Sequence, residues 1–159
     1  MFLTDRKLER RMEEAMQYRY RDIIELGEFA VAEDRQGVVN PLPPESFEGW
    51  QCMKTGDTWK GRDKFLWMHK TVQSPAQWKG KRVVGIFDFG NTGGGNNSGF
   101  ESMIYVNGRM YQGVDANHKE VFFDQELCGT EVSLTFRLWS GLEGGGIARE
   151  QEHRIARAD

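Results

Sequence analysis

"EVSLTFRLW", residues Glu131–Trp139, alternates along its whole length: Val132, Leu134, Phe136 and Leu138 fall on one side of an extended chain, Ser133, Thr135 and Arg137 on the other. Successive side chains of a strand point to opposite faces, so the pattern predicts a β-strand with one buried face and one wet face. Segments on its N-terminal side share the character. "KFLWMHKTV" (64–72), "KRVVGIFDF" (81–89), "FESMIYV" (100–106), "RMYQGVD" (109–115) and "KEVFFD" (119–124) are short, aromatic or β-branched, and separated by turn residues. Between two of them "VNGR" puts Asn107 and Gly108 at the centre of a hairpin. A two-residue type I′ turn needs positive φ at both central positions, which Asn-Gly tolerates best. Strands at near-regular spacing without intervening helices predict a mainly β fold, an antiparallel sandwich or jelly roll.

The N-terminal segment differs. Residues 5–26 contain no Gly or Pro, and Leu8, Met12, Met16, Tyr20 and Ile23 recur every three or four positions, as on one stripe of an amphipathic helix. Thr4 or Asp5 would cap its start and Gly27 its end. The mixed charges of the polar face favour a surface helix over a membrane-lying one. "GEFAVAEDRQGVVNPLPPESFEGW" follows, and its three prolines within four positions (41–44) predict an extended link. The expected division is a helix over 1–27, a link over 28–46, a β-sandwich over 47–146 and, over 147–159, the start of a connection, read as the beginning of a helix. The glycine-rich stretches "NTGGGNNSG" (91–99) and "GLEGGG" (141–146) are expected to be surface loops; the first lacks the GxxxxGK[ST] pattern of a phosphate loop.

Bulk composition bounds the partners. A chain of 159 residues with 38% hydrophobic and 28% charged residues has the make-up of one soluble domain with its own core. A net charge of −3 offers no field for phosphate backbones, so no nucleic-acid partner is expected. No run approaches the roughly 18 apolar residues of a membrane helix, and "MFLTDRKLERRMEEAM" becomes charged too early for a signal peptide. Cys52 and Cys128 read as reduced thiols, and a cytoplasmic location without a membrane partner is the expectation.

Chemistry is sparse. His69, His118 and His153 are far apart, no CxxC or HExxH occurs, and Asp115 with His118 supplies only two ligands at local spacing, so no metal site is expected. No GxSxG elbow occurs, and Cys128 sits in an ordinary strand connection. Glu101, Asp115, Glu120 and Asp124 are close in sequence, but nothing local marks one of them as desolvated for acid–base work. Trp67 and Trp139 lie inside strands and read as core. Trp59 and Trp78 lie beside Gly, Lys and Pro and are candidates for stacking on sugar rings. "GVDANH" crowds Asp115, Asn117 and His118 after a hairpin strand, where local side-chain bonds to backbone can end a strand.

Three stretches, "GDTWKGRDKFLWMHKTVQSPAQWKGKRVV", "ESMIYVNGRMYQGVDANHKEV" and "LTFRLWSGLEGG", in that order, resemble the N-terminal domain of the cytosolic and vacuolar type of α-mannosidase, glycoside hydrolase family 38. The resemblance runs from about residue 47 to 146. It implies a galactose-binding-like jelly roll in a retaining enzyme that removes α-linked mannose with zinc and an aspartate nucleophile held in a separate downstream domain. That domain's His-x-Asp metal motif is missing: His69, His118 and His153 are each followed by other pairs, so no catalytic residue and no zinc ligand is carried over. The resemblance therefore implies a non-catalytic module, without a cofactor of its own, that packs on its downstream catalytic domain or a neighbouring subunit. Asp115, Asn117 and His118 would lie at that junction. An autonomous mannoside-binding module, using Trp59 or Trp78 beside Asp115 and His118, and a homo-oligomeric assembly module using the N-terminal helix remain the alternatives.

Overall fold

The computed structural model describes residues 2–61, 63–90, 100–141, 151–154 and 157–158, which leaves the loop expected at 91–99 and residues 142–146 of the second loop outside the described residues. The alternating stretch forms strand β9 (Glu131–Trp139) at the heart of a six-stranded sheet. Across that sheet the order is β2 (Gln51–Met53), β1 (Phe29–Asp34), β4 (Phe65–Gln73), β9, β6 (Glu101–Val106) and β7 (Arg109–Asp115), with every pairing antiparallel. Facing it, β5 (Val83–Asp88) pairs with β8 (Glu120–Phe123), and β11 (Arg157–Ala158) adds to the other edge of β5. Strand β3 (Thr58–Gly61) pairs with β10 (Gln151–Arg154).

Phe136, fully buried, joins the layers. Its ring lies 4.6 Å from that of Phe87, 5.2 Å from Phe89 and 6.1 Å from Phe29. Burying each such aromatic contributes about 1.5–3 kcal/mol, and the tilted and edge-on geometries suit the ring quadrupoles. At the margin between β7 and β8 the layers are tied by side chains. A bulge in β7 at Tyr111 lets its hydroxyl donate to the Phe122 carbonyl (2.9 Å), while Gln112 Nε2 donates to the Glu120 carbonyl (3.0 Å).

The second face of β9, expected to be wet, is covered. Thr135 is 1% exposed, and its neighbours on that face, Trp67 and Tyr105, are buried. The cover is the chain between β1 and β2, which crosses this face as a strap. Tyr105 Oη donates to the Pro41 carbonyl (3.0 Å), and the Phe47 ring stacks on His69 at 3.5 Å. Arg137 points into the same layer, with its guanidinium over the Phe65 ring at 3.8 Å. Its Nε donates to Asp34 Oδ2 (3.0 Å); Nη2 lies 2.8 Å from the same oxygen, attracted by charge but without a directed hydrogen bond. Hydrophobic alternation cannot show this, because Thr and Arg read as polar wherever they are placed.

Other expectations need correcting. Helix α1 spans Phe2–Met16 and stops ten residues before Leu26, so Thr4 and Asp5 lie inside it rather than capping it. Its apolar stripe meets nothing that would extend it: Leu8, Met12 and Met16 are 60%, 58% and 63% exposed. The following residues are instead bound to the β-body, where Tyr20 Oη donates to Glu120 Oε1, Arg19 pairs with Glu120 (2.6 Å) and Lys81 with Asp22 (2.8 Å). Asp22 takes φ +56, incompatible with continuing the helix. The link expected over 28–46 contributes β1, whose Phe29 and Val31 are core residues, so the packed β-body begins before residue 47. The tail, expected to start a helix, supplies β10 and β11 to strand edges left open by β3 and β5.

Candidate functional site

Asn107 and Gly108 make the tight β6–β7 turn with φ +50 and +76, as the Asn-Gly step requires. Asn107 also joins this hairpin to β9: its N–H donates to the Ser133 carbonyl, and its Oδ1 accepts the Ser133 N–H, both at 2.9 Å.

At the other end of β7, Asp115, Asn117 and His118 are brought together as one turn. Asp115 Oδ1 accepts the N–H groups of Asn117 (2.7 Å) and His118 (2.8 Å), while the His118 ring nitrogen Nδ1 lies 3.0 Å from Oδ2. The backbone closes the loop with the His118 N–H donating to the Asp115 carbonyl (3.1 Å). Partial burial pushes the Asp115 carboxyl up, but the His118 ring and the two backbone N–H donors outweigh it, so the pKa is lowered. A carboxylate so occupied has few lone pairs left for a substrate. The His118 side chain, 73% exposed, faces solvent on the outside of this turn.

The tryptophans separate. Trp59 sits in β3 against the core, opposite His153 of β10. Trp78 forms one wall of a mainly apolar cleft of about 190 Å³, whose lining contains none of Trp59, Asp115, Asn117 and His118. The platform imagined from Trp59 or Trp78 beside Asp115 and His118 is therefore not assembled in this cleft. The cleft lies between residues 19–26 and the end of the sandwich, with Val83, Phe87, Leu127 and Leu134 deeper in and Arg19, Arg21, Lys81 and Arg82 among the charged residues around it. Sequence reading missed it because "RYRDIIEL" (19–26) had been absorbed into the helix. Its one local signal was the clustering of Arg and Tyr where a helical stripe would have turned outward. Among the described residues no group of three or more His, Cys, Asp or Glu is placed to hold a metal ion, and Cys52 and Cys128 are free thiols.

Comparison with known proteins agrees with this architecture. Comparison with curated proteins gives no match. Among solved structures, the chain is similar to a Faecalibacterium prausnitzii beta-glucuronidase, with a TM-score of 0.56 at 16% identity, over 85% of this chain and 30% of that one. The shared feature is the fold, and this chain spans under a third of that protein's length. Residues 34–137 match the family described as alpha-mannosidase, jelly roll domain. With most of its β-body inside that match, the chain belongs to the alpha-mannosidase jelly roll domain family.

Proposed function

We propose that this chain is the non-catalytic N-terminal module of a retaining, zinc-dependent α-mannosidase, and that it packs on a catalytic domain which hydrolyses α-linked mannose. The family match over residues 34–137 is the observation that carries the reading. The turn at Asp115 supports it, because the carboxylate best placed by sequence for chemistry is bound within its own loop. Zinc and the aspartate nucleophile then belong to the catalytic domain. The module contributes a rigid surface on which that domain is positioned, and the free thiols support a cytoplasmic setting. The purified chain, supplied with zinc and an aryl α-mannoside, is expected to show no turnover above buffer. Turnover that co-purifies with the chain and disappears on chelation would overturn the proposal.

A carbohydrate-binding reading has one observation in its favour: half-buried Trp78 faces a cleft. It requires a change in tryptophan fluorescence on titration with mannose or manno-oligosaccharides, lost in Trp78→Ala. The module reading expects a flat titration.

A further inference from the structure

The chain carries two unfilled apolar surfaces. One is the stripe of α1, where Leu8, Met12 and Met16 are each more than half exposed. The other is the cleft beside Trp78, about 190 Å³ and lined by no residue of α1. Apolar cavities on the order of 150 Å³ already accept a benzene ring, so the cleft has room for large side chains. The helix does not enter its own cleft. Its last turn continues through Tyr18 N–H to the Ala15 carbonyl (3.0 Å) and Arg19 N–H to the Met16 carbonyl (3.1 Å), and Arg19 onward already forms a wall of the cleft. A reversal within Gln17–Tyr18 would break both bonds.

The charges left over on the two surfaces are opposite. Glu9 and Glu13, four residues apart, follow Leu8 and Met12 along one side of the stripe. Neither has an ion-pair partner among the described residues, whereas Glu14 is held by Arg10 (3.3 Å). At the cleft, Arg19 is engaged by Glu120 and Lys81 by Asp22, but Arg21 and Arg82 face no paired carboxylate among the described residues; Arg82 lies over the Phe122 ring at 4.3 Å.

We propose that the partner of each surface is a second copy of this chain: α1 of one copy lays Leu8, Met12 and Met16 into the cleft of the other, with Glu9 and Glu13 against Arg21 and Arg82, and the exchange is reciprocal. Reciprocity gives a closed two-fold dimer in which both apolar surfaces leave water together. The arrangement is independent of the mannosidase reading, since it concerns neither substrate nor catalytic domain.

Sedimentation equilibrium of the chain across a concentration series tests it. The wild type is expected to dimerise. Met12→Lys, at a position 58% exposed and therefore tolerated by the fold, is expected to weaken the dimer about tenfold or more, with an unchanged circular dichroism spectrum. Glu9→Arg with Glu13→Arg weakens it, Arg21→Glu with Arg82→Glu weakens it, and all four changes in one chain restore it. A monomer at every concentration, a dimer indifferent to Met12→Lys, a larger assembly, or a fourfold variant no tighter than its halves would each overturn the proposal.

Discussion

Asn107 does two jobs at one position. It holds a left-handed backbone, and its side-chain oxygen takes the Ser133 N–H of β9. Asn107→Ala keeps the strain and loses the bond, so urea unfolding is expected to show a loss of about 1–2 kcal/mol with an unchanged m-value. Asp34 and Arg137 make a stronger case. Their side chains are 6% and 10% exposed, and a buried charge without its partner is costly. Asp34→Ala is expected to destabilise the chain by about 3–5 kcal/mol, while Asp34→Ala with Arg137→Met recovers most of the loss. If the double variant is no more stable than the single one, the ion pair is not what the layer depends on. The Asn-Gly turn was legible from two adjacent residues. The Asp34–Arg137 pair was not, because its members are 103 positions apart and neither has a local signature.

Among elements, the strap over the outer face of the large sheet is held by Phe47 stacked on His69 and by Tyr105 bonded to Pro41. His69 Nδ1 lies 3.1 Å from Thr135 Oγ1, and burial lowers the pKa of the ring below 6.5. The native state therefore favours neutral imidazole, and the unfolded chain binds the proton more readily. The His69 contribution is complete above the unfolded pKa and is lost as pH falls through the window between the unfolded and the lowered folded values. Stability measured on either side of pH 6.5 is expected to fall toward acid by less in His69→Phe, which keeps a ring against Phe47 but cannot titrate. Equal slopes in both proteins would show that protonation of His69 does not loosen the strap. The prolines at 41–44 announced an extended segment; they did not announce that it would lie on a sheet.

For the whole molecule, the boundary of the folding unit is the sharpest issue. A chain beginning at residue 47 lacks Phe29, Val31, Asp34 and the strap, and β4 becomes an edge strand. It is expected to lose cooperative unfolding and to bind hydrophobic dyes, whereas a chain beginning at residue 28 keeps a sharp transition. Cooperative unfolding of the shorter chain would place β1 outside the core unit. The sequence by itself determined which segments from residue 64 to 139 are strands, where the Asn107-Gly108 hairpin closes and, through resemblance, which family the β-body belongs to. Those features rest on side-chain alternation and turn geometry among residues close in the chain. Tertiary structure alone decided that β1 lies between β2 and β4, that both faces of β9 are covered, and that the helix ends at Met16 with its apolar stripe exposed. Each depends on distant surfaces competing for the same residues, as when Glu120 draws Arg19 and Tyr20 out of a helix that their own sequence would have continued.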